Sequence, residues 1–174
     1  MSDKLNFFNK FVIILSLAFF YFIPFFNKKI FKNVISVFKN LKNEYILVIF
    51  FLICLFLFNF PTGYFGGGIF YHISQFIFEN NFLLFAVFFL SILLFKASKL
   101  INLNNLLLFF CLILYNLQVS IYHKYFDPIF LFIFLFLVTN NEIRNQRSFL
   151  DITKNYYILY FVFLGMSIYK VNFL

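Results

Sequence analysis

Six apolar runs, at about 7–26, 45–60, 81–95, 105–122, 125–139 and 156–174, fill most of this chain and leave only short polar linkers. A water-soluble domain needs a polar surface that such runs cannot supply: 64% of the 174 residues are hydrophobic and 11% are charged. The excess apolar surface is therefore expected to face lipid. A spanning helix takes about 20 residues, or as few as about 17. The first, fourth and last runs reach that length unaided, whereas the other three must borrow flanking Asn, Tyr or Lys. The expected fold is all-α, a polytopic integral membrane protein of about six transmembrane helices in a single domain over residues 1–174, with five helices as the alternative.

The linkers carry the charge. Residues 27–44 place Ile30, Phe31, Val34, Ile35, Phe38 and Leu41 on one helical face and Lys28, Lys32, Lys39 and Lys42 on the other. That pattern predicts a basic amphipathic helix over about 28–43, lying in the interface plane and meeting anionic lipid headgroups. A plain charged loop is the competing reading. Headgroups, rather than nucleic acid, are the partners expected for the net charge of +8. The linkers at 27–44, 96–104 and 140–155 hold five, two and three Lys/Arg, while the other ends and loops hold four together. The positive-inside rule puts the first group in the cytoplasm and both termini outside, in a bacterial inner membrane. The first run lacks a small-residue cleavage site and reads as a retained helix kinked or ended near Pro24. Asp127-Pro128 reads as an N-cap followed by proline at the first helical position, opening the fifth span.

No phosphate-loop, GxSxG, HExxH or CxxC motif is present. Cys54 and Cys111, each inside an apolar run, read as two buried small residues. Four of the five glycines fall in "PTGYFGGGIFYH", residues 61–72, which has no Lys or Arg. Gly66, Gly67 and Gly68 permit positive φ and close backbone approach. They predict either a tight turn before an interfacial segment or a loop that cradles a phosphate-linked or sugar ligand. "IYHKYFDP", residues 121–128, is assigned to the same outer side. That side then gathers Tyr71, His72, Glu79, His123, Lys124, Tyr125 and Asp127 as candidate ligand-binding residues, the alternative being headgroup anchoring. A metal site is not assigned.

"GGGIFYHISQFIFENNFLLF" and, further on, "IYHKYFDPIFLFIFLFL" resemble the C-terminal half of multi-spanning membrane glycosyltransferases of the GT-C type, over about residues 60–140. The likeness is nearest to bacterial relatives of the lipid-linked glucosyltransferases. It implies a polyprenyl-phosphate sugar donor handled at the outer face. His123 and Lys124 would then meet phosphate, and Glu79 or Asp127 a sugar hydroxyl or a divalent cation. Such enzymes carry a catalytic acid in a long first outer loop and about twice as many spans. Here the only acid before the first run is Asp3, so the resemblance implies a truncated or split relative. The reading from another class is a non-catalytic membrane subunit, scaffold or small permease with a partner subunit.

Overall fold

The computed structural model of the protein describes residues 7–26, 28–60, 66–115, 129–130, 133, 154–158, 160–161 and 164–165. The described elements are helical: α1 (Phe7–Phe22), a 3-10 turn (Ile23–Phe25), α2 (Lys28–Lys39), a second 3-10 turn (Leu41–Glu44), α3 (Tyr45–Leu57), α4 (Gly68–Phe78), α5 (Phe82–Ala97) and α6 (Leu103–Tyr115).

α1 is the axis of the bundle. Its apolar residues lie on every side rather than in one stripe, and a helix of that kind is stable only when surrounded. Eleven of its 16 residues are buried. α5 runs beside it in the same direction. Phe88 meets Phe11 at 6.3 Å, the Ser91 hydroxyl donates to the Leu15 carbonyl at 2.8 Å, and Phe95 meets Phe22 at 6.4 Å. An aromatic pair contributes about 0.5–1.5 kcal/mol beyond burial, and one interhelical hydrogen bond on the order of 1 kcal/mol. Ring packing therefore outweighs the serine in holding α1 to α5.

Pro24 ends α1 as expected. Proline cannot donate to the preceding turn, so carbonyls there need other partners. The Tyr156 hydroxyl donates to the Tyr21 carbonyl at 3.0 Å, and the Asn155 side-chain amide donates to the Pro24 carbonyl at 3.1 Å. α2 follows, and the chain bends by 77° between it and α3. Glu44, just before α3, pairs with Lys96 near the end of α5 at 3.0 Å, and Asn33 of α2 donates weakly to the Ala97 carbonyl at 3.5 Å. α6 starts at this end too, with Phe109 4.9 Å from Phe95, and passes toward the start of α1, where Phe110 lies 6.0 Å from Phe7. One end of the bundle thus collects α2, Lys42, Lys96, Lys99 and the segment at Asn155. At the other end Asn9 grips Asn59, just beyond α3.

α1 with its 3-10 extension, Phe7–Phe25, is 19 residues long and apolar enough to cross a membrane. Lys28–Lys39 and Leu41–Leu57 meet that test only when joined across the bend. α5 and the apolar part of α6, Leu103–Leu114, are shorter. The helices expected at 45–60 and 81–95 are observed at Tyr45–Leu57 and Phe82–Ala97, and the amphipathic helix at Lys28–Lys39. Most of the expected fifth and sixth spans, the end of the fourth after residue 115, and Asp127-Pro128 lie outside the described residues. Cys54 is buried as expected, but Cys111 is exposed, because it faces away from α1 on α6.

Candidate functional site

Residues 58–60 and 66–81 depart from the pattern of full-length helices. Asn59 and Phe60 sit where α1 begins, yet Gly68 lies against the middle of α1. A methyl group added to Gly68 would stand 3.1 Å from Leu17 Cδ2 and 3.4 Å from Ile13 Cγ2. α4 then leads back toward the start of α1. Its last residue, Phe78, meets Phe82 at 6.0 Å. Because Phe88 packs on Phe11, Phe82 falls about 9 Å before that level. An 11-residue helix is about 16 Å long, half the ~30 Å of a bilayer core.

The glycine sequence makes this possible. Gly66, Gly67 and Gly68 have φ of 117°, 95° and 76°, a left-handed run that residues with a Cβ resist. All three are buried. At Gly67 a methyl would come within 2.5 Å of the Tyr71 ring and 3.2 Å of Phe60. The Phe60 and Tyr71 rings pack edge-on, 4.9 Å apart. The glycines therefore form the tight turn of the first reading, but not at the outer edge of the bundle: the turn sits halfway along α1. Missing side chains let Leu17, Ile13 and Tyr71 close on bare backbone, and that contact draws the turn inward.

The α4–α5 turn is held by a serine that sequence reading passed over. Ser74, fully buried, donates to the Asn80 carbonyl at 2.7 Å and accepts from the Leu83 amide at 3.0 Å. Gln75 donates to the Asn81 side chain at 2.7 Å, and the Asn80 side chain accepts from the Phe82 amide at 2.8 Å. The Asn80-Asn81 doublet before an apolar run was the available signal, since such residues favour turns and caps.

Of the ten candidate residues, the structure brings Gly66, Gly67, Gly68 and Tyr71 together. The Tyr71 side chain is buried, and its hydroxyl has no hydrogen-bond partner among the described residues. His72 is exposed beside it, the two rings 5.7 Å apart. Glu79 is exposed and caps α4 with φ 53°. It stands seven positions after His72, so the two share a helix face but lie about 10 Å apart along it. His123, Lys124, Tyr125 and Asp127 lie outside the described residues. The segment that follows them does have an anchor. Phe130 stacks on Tyr21 at 5.3 Å, Tyr21 abuts Phe20 at 5.3 Å, and Phe20 meets Phe70 at 6.5 Å. A chain of rings thus joins α4 to the stretch after "IYHKYFDP".

Ser16 and Ser91, hydroxyl residues within the first and third runs, bond to the carbonyls of Ile13 and Leu15 and are structural. Lys10 is buried at 5% exposure beside Asn9, at the end where α1 begins. Its place in an apolar helix was the signal for it. Among the described residues, no three His, Cys, Asp or Glu side chains group to hold a metal ion. Compared with known proteins, the chain matches no protein-family model, no curated protein and no solved structure.

Proposed function

We propose that this chain is a multi-pass membrane protein of about six spans that handles a polyprenyl-phosphate-linked sugar, in glycosyltransferase-like chemistry, at the outer face of a bacterial inner membrane. The lipid setting is supported by what the helices leave bare. α3 exposes Ile46, Ile49, Leu52 and Phe56, the last at 87%, and α2 exposes Phe31 and Phe38. Contiguous apolar surface of this extent needs a lipid or protein cover. The bend before α3 and the lysines along α2 suit a helix lying on headgroups. Gathering of Lys42, Lys96 and Lys99 at one end supports the cytoplasmic assignment of that end.

The observation that carries the functional reading is α4. A half-length helix that starts on left-handed glycines inside a bundle is a device of membrane proteins that hold ligands at depth. Lys10 and Glu79, at the opposite end from the lysine cluster, would supply charged groups to a ligand there. One observation favours the non-catalytic reading. Phe60, Tyr71, Leu17 and Ile13 already fill the space beside Gly67 and Gly68, as a purely structural turn would require.

Binding of a polyprenyl-phosphate hexose to the reconstituted full chain separates the two. The enzyme-like reading expects saturable binding, weakened about tenfold by Glu79→Gln or His123→Ala, the loss of one charge-assisted hydrogen bond. Lys154→Gln, on the lysine side, should leave it unchanged. Absence of binding, with a second protein co-purifying in fixed ratio, would establish the subunit reading instead.

A further inference from the structure

A second feature, an apolar groove, lies away from the glycine turn. The groove, of about 430 Å³, opens sideways between α3 and α6, with α1 and α5 as its floor. All twelve residues that line it are Ile, Leu or Phe, among them Leu15, Leu47, Phe95, Leu106 and Leu107. Along α6 it extends from Leu103 to Phe110, about 10 Å at the helical rise.

Its mouth is basic. Lys96 follows the lining residue Phe95, and Lys99 stands two residues before Ile101. Lys42 precedes the helix that supplies Leu47. Glu44 pairs with Lys96 across the rim at 3.0 Å, leaving the rim positive in sum. Lys99 has an unusual backbone. The Leu100 amide donates to the Phe95 carbonyl at 2.8 Å and the Lys99 amide to the Lys96 carbonyl at 3.0 Å. Lys99 has φ 54°. This is a Schellman cap, whose left-handed position is ordinarily glycine. A lysine there gives up backbone stability and keeps an exposed cation two residues from the lining.

We propose that the groove seats one acyl chain of an anionic phospholipid, with the phosphate held by Lys99 and its neighbours at the lysine end. An apolar trough with positive charge at one end complements that amphiphile and no uncharged lipid as well. The assignment rests on lipid embedding alone, not on the sugar chemistry, so either can fail without the other.

The test uses the purified, delipidated full chain in detergent, with retained lipid counted by native mass spectrometry after adding palmitoyl-oleoyl phosphatidylglycerol or the matching phosphatidylcholine. The wild type should retain phosphatidylglycerol about fivefold better, the factor one lysine near an anionic headgroup contributes. Lys99→Gly should abolish most of that preference while raising the unfolding temperature, since glycine suits the backbone, so misfolding cannot mimic the result. Leu107→Trp, which fills the groove, should lower retention of both lipids. Equal retention by the wild type overturns the proposal, as does a Lys99→Gly protein that keeps its preference or a Leu107→Trp protein that keeps both lipids. Lys32→Gln, on α2, should change nothing. If it removes the preference as fully as Lys99→Gly, the lipid sits on α2 and the groove assignment is wrong.

Discussion

The side chain of Asn9 and the backbone of Asn59 exchange two hydrogen bonds: Asn9 Nδ2 donates to the Asn59 carbonyl at 2.7 Å, and the Asn59 amide donates to Asn9 Oδ1 at 2.8 Å. Asn59 lies just past α3, where the chain leaves helical geometry and its backbone groups lose intrahelical partners. The side-chain amide replaces them and ties α3 to the first turns of α1. Asn9→Leu should therefore destabilise the protein by about 1–2 kcal/mol, the sum of two modest interhelical bonds. Thermal unfolding in detergent measures this. Ser16→Ala is the comparison and should cost less, because the Ser16 hydroxyl bonds only within its own helix.

Two glycines of one chain should respond oppositely to the same change. Gly67→Ala meets both a left-handed φ and the Tyr71 ring, and should lose at least about 2 kcal/mol. Gly165 is helical with nothing within 4 Å of an added methyl. Gly165→Ala should gain up to about 1 kcal/mol. Equal effects at the two sites in the same unfolding assay would mean that the turn is not packed as described.

Glu79 separates stability from function. Its φ of 53° favours glycine, so Glu79→Gly should raise stability by about 0.5–1 kcal/mol. If Glu79 holds a sugar hydroxyl, the same variant should lose ligand binding. A variant that is more stable and binds less well identifies a residue kept for its side chain. A more stable variant with intact binding assigns Glu79 to capping alone.

Tyr156 closes the other end of α1. Its hydroxyl reaches the Tyr21 carbonyl across 135 residues of sequence, and its ring packs edge-on against Phe25 at 5.9 Å. Tyr156→Phe keeps the ring and removes the bond, leaving a buried carbonyl short of a partner. The expected loss is about 1–2 kcal/mol, read as a lower unfolding temperature.

Sidedness can be read with a membrane-impermeant thiol reagent in intact cells and inverted vesicles. In a background of Cys54→Ser and Cys111→Ser, a cysteine at Lys42 or Lys99 should react only from the cytoplasmic side. A cysteine at Asn80 should react only from outside. Labelling of all three from one side would contradict the opposed ends of the bundle and the site proposed at one of them.

Much of the architecture was legible because it follows from local chemistry. The amphipathic pattern of Lys28–Lys39, the helix end near Pro24 and the apolar run that became α5 need no knowledge of partners. Side-chain periodicity and the missing proline amide decide them residue by residue. The wheel of α2 marks an apolar face without saying which of its members meet protein. Of its apolar face, Ile30 is buried and Val34 half-buried, while Phe31, Ile35 and Phe38 stay exposed. Which members of a stripe touch protein depends on where α5 lies.

For the candidate site, local chemistry specified that Gly66, Gly67 and Gly68 turn the chain, and could not specify where. Positive φ is a property of glycine itself, written in three adjacent letters. Depth is a property of Leu17 and Ile13 closing on Gly68, of Tyr71 folding over Gly67, and of Ser74 fastening the turn to α5. Those contacts join residues distant in sequence, and no periodicity encodes them. The sequence by itself determined an all-helical chain with its charge in the linkers. Only the tertiary structure turned the glycine segment inward to make a half-length helix, because packing against bare backbone is decided by the partner as much as by the glycine.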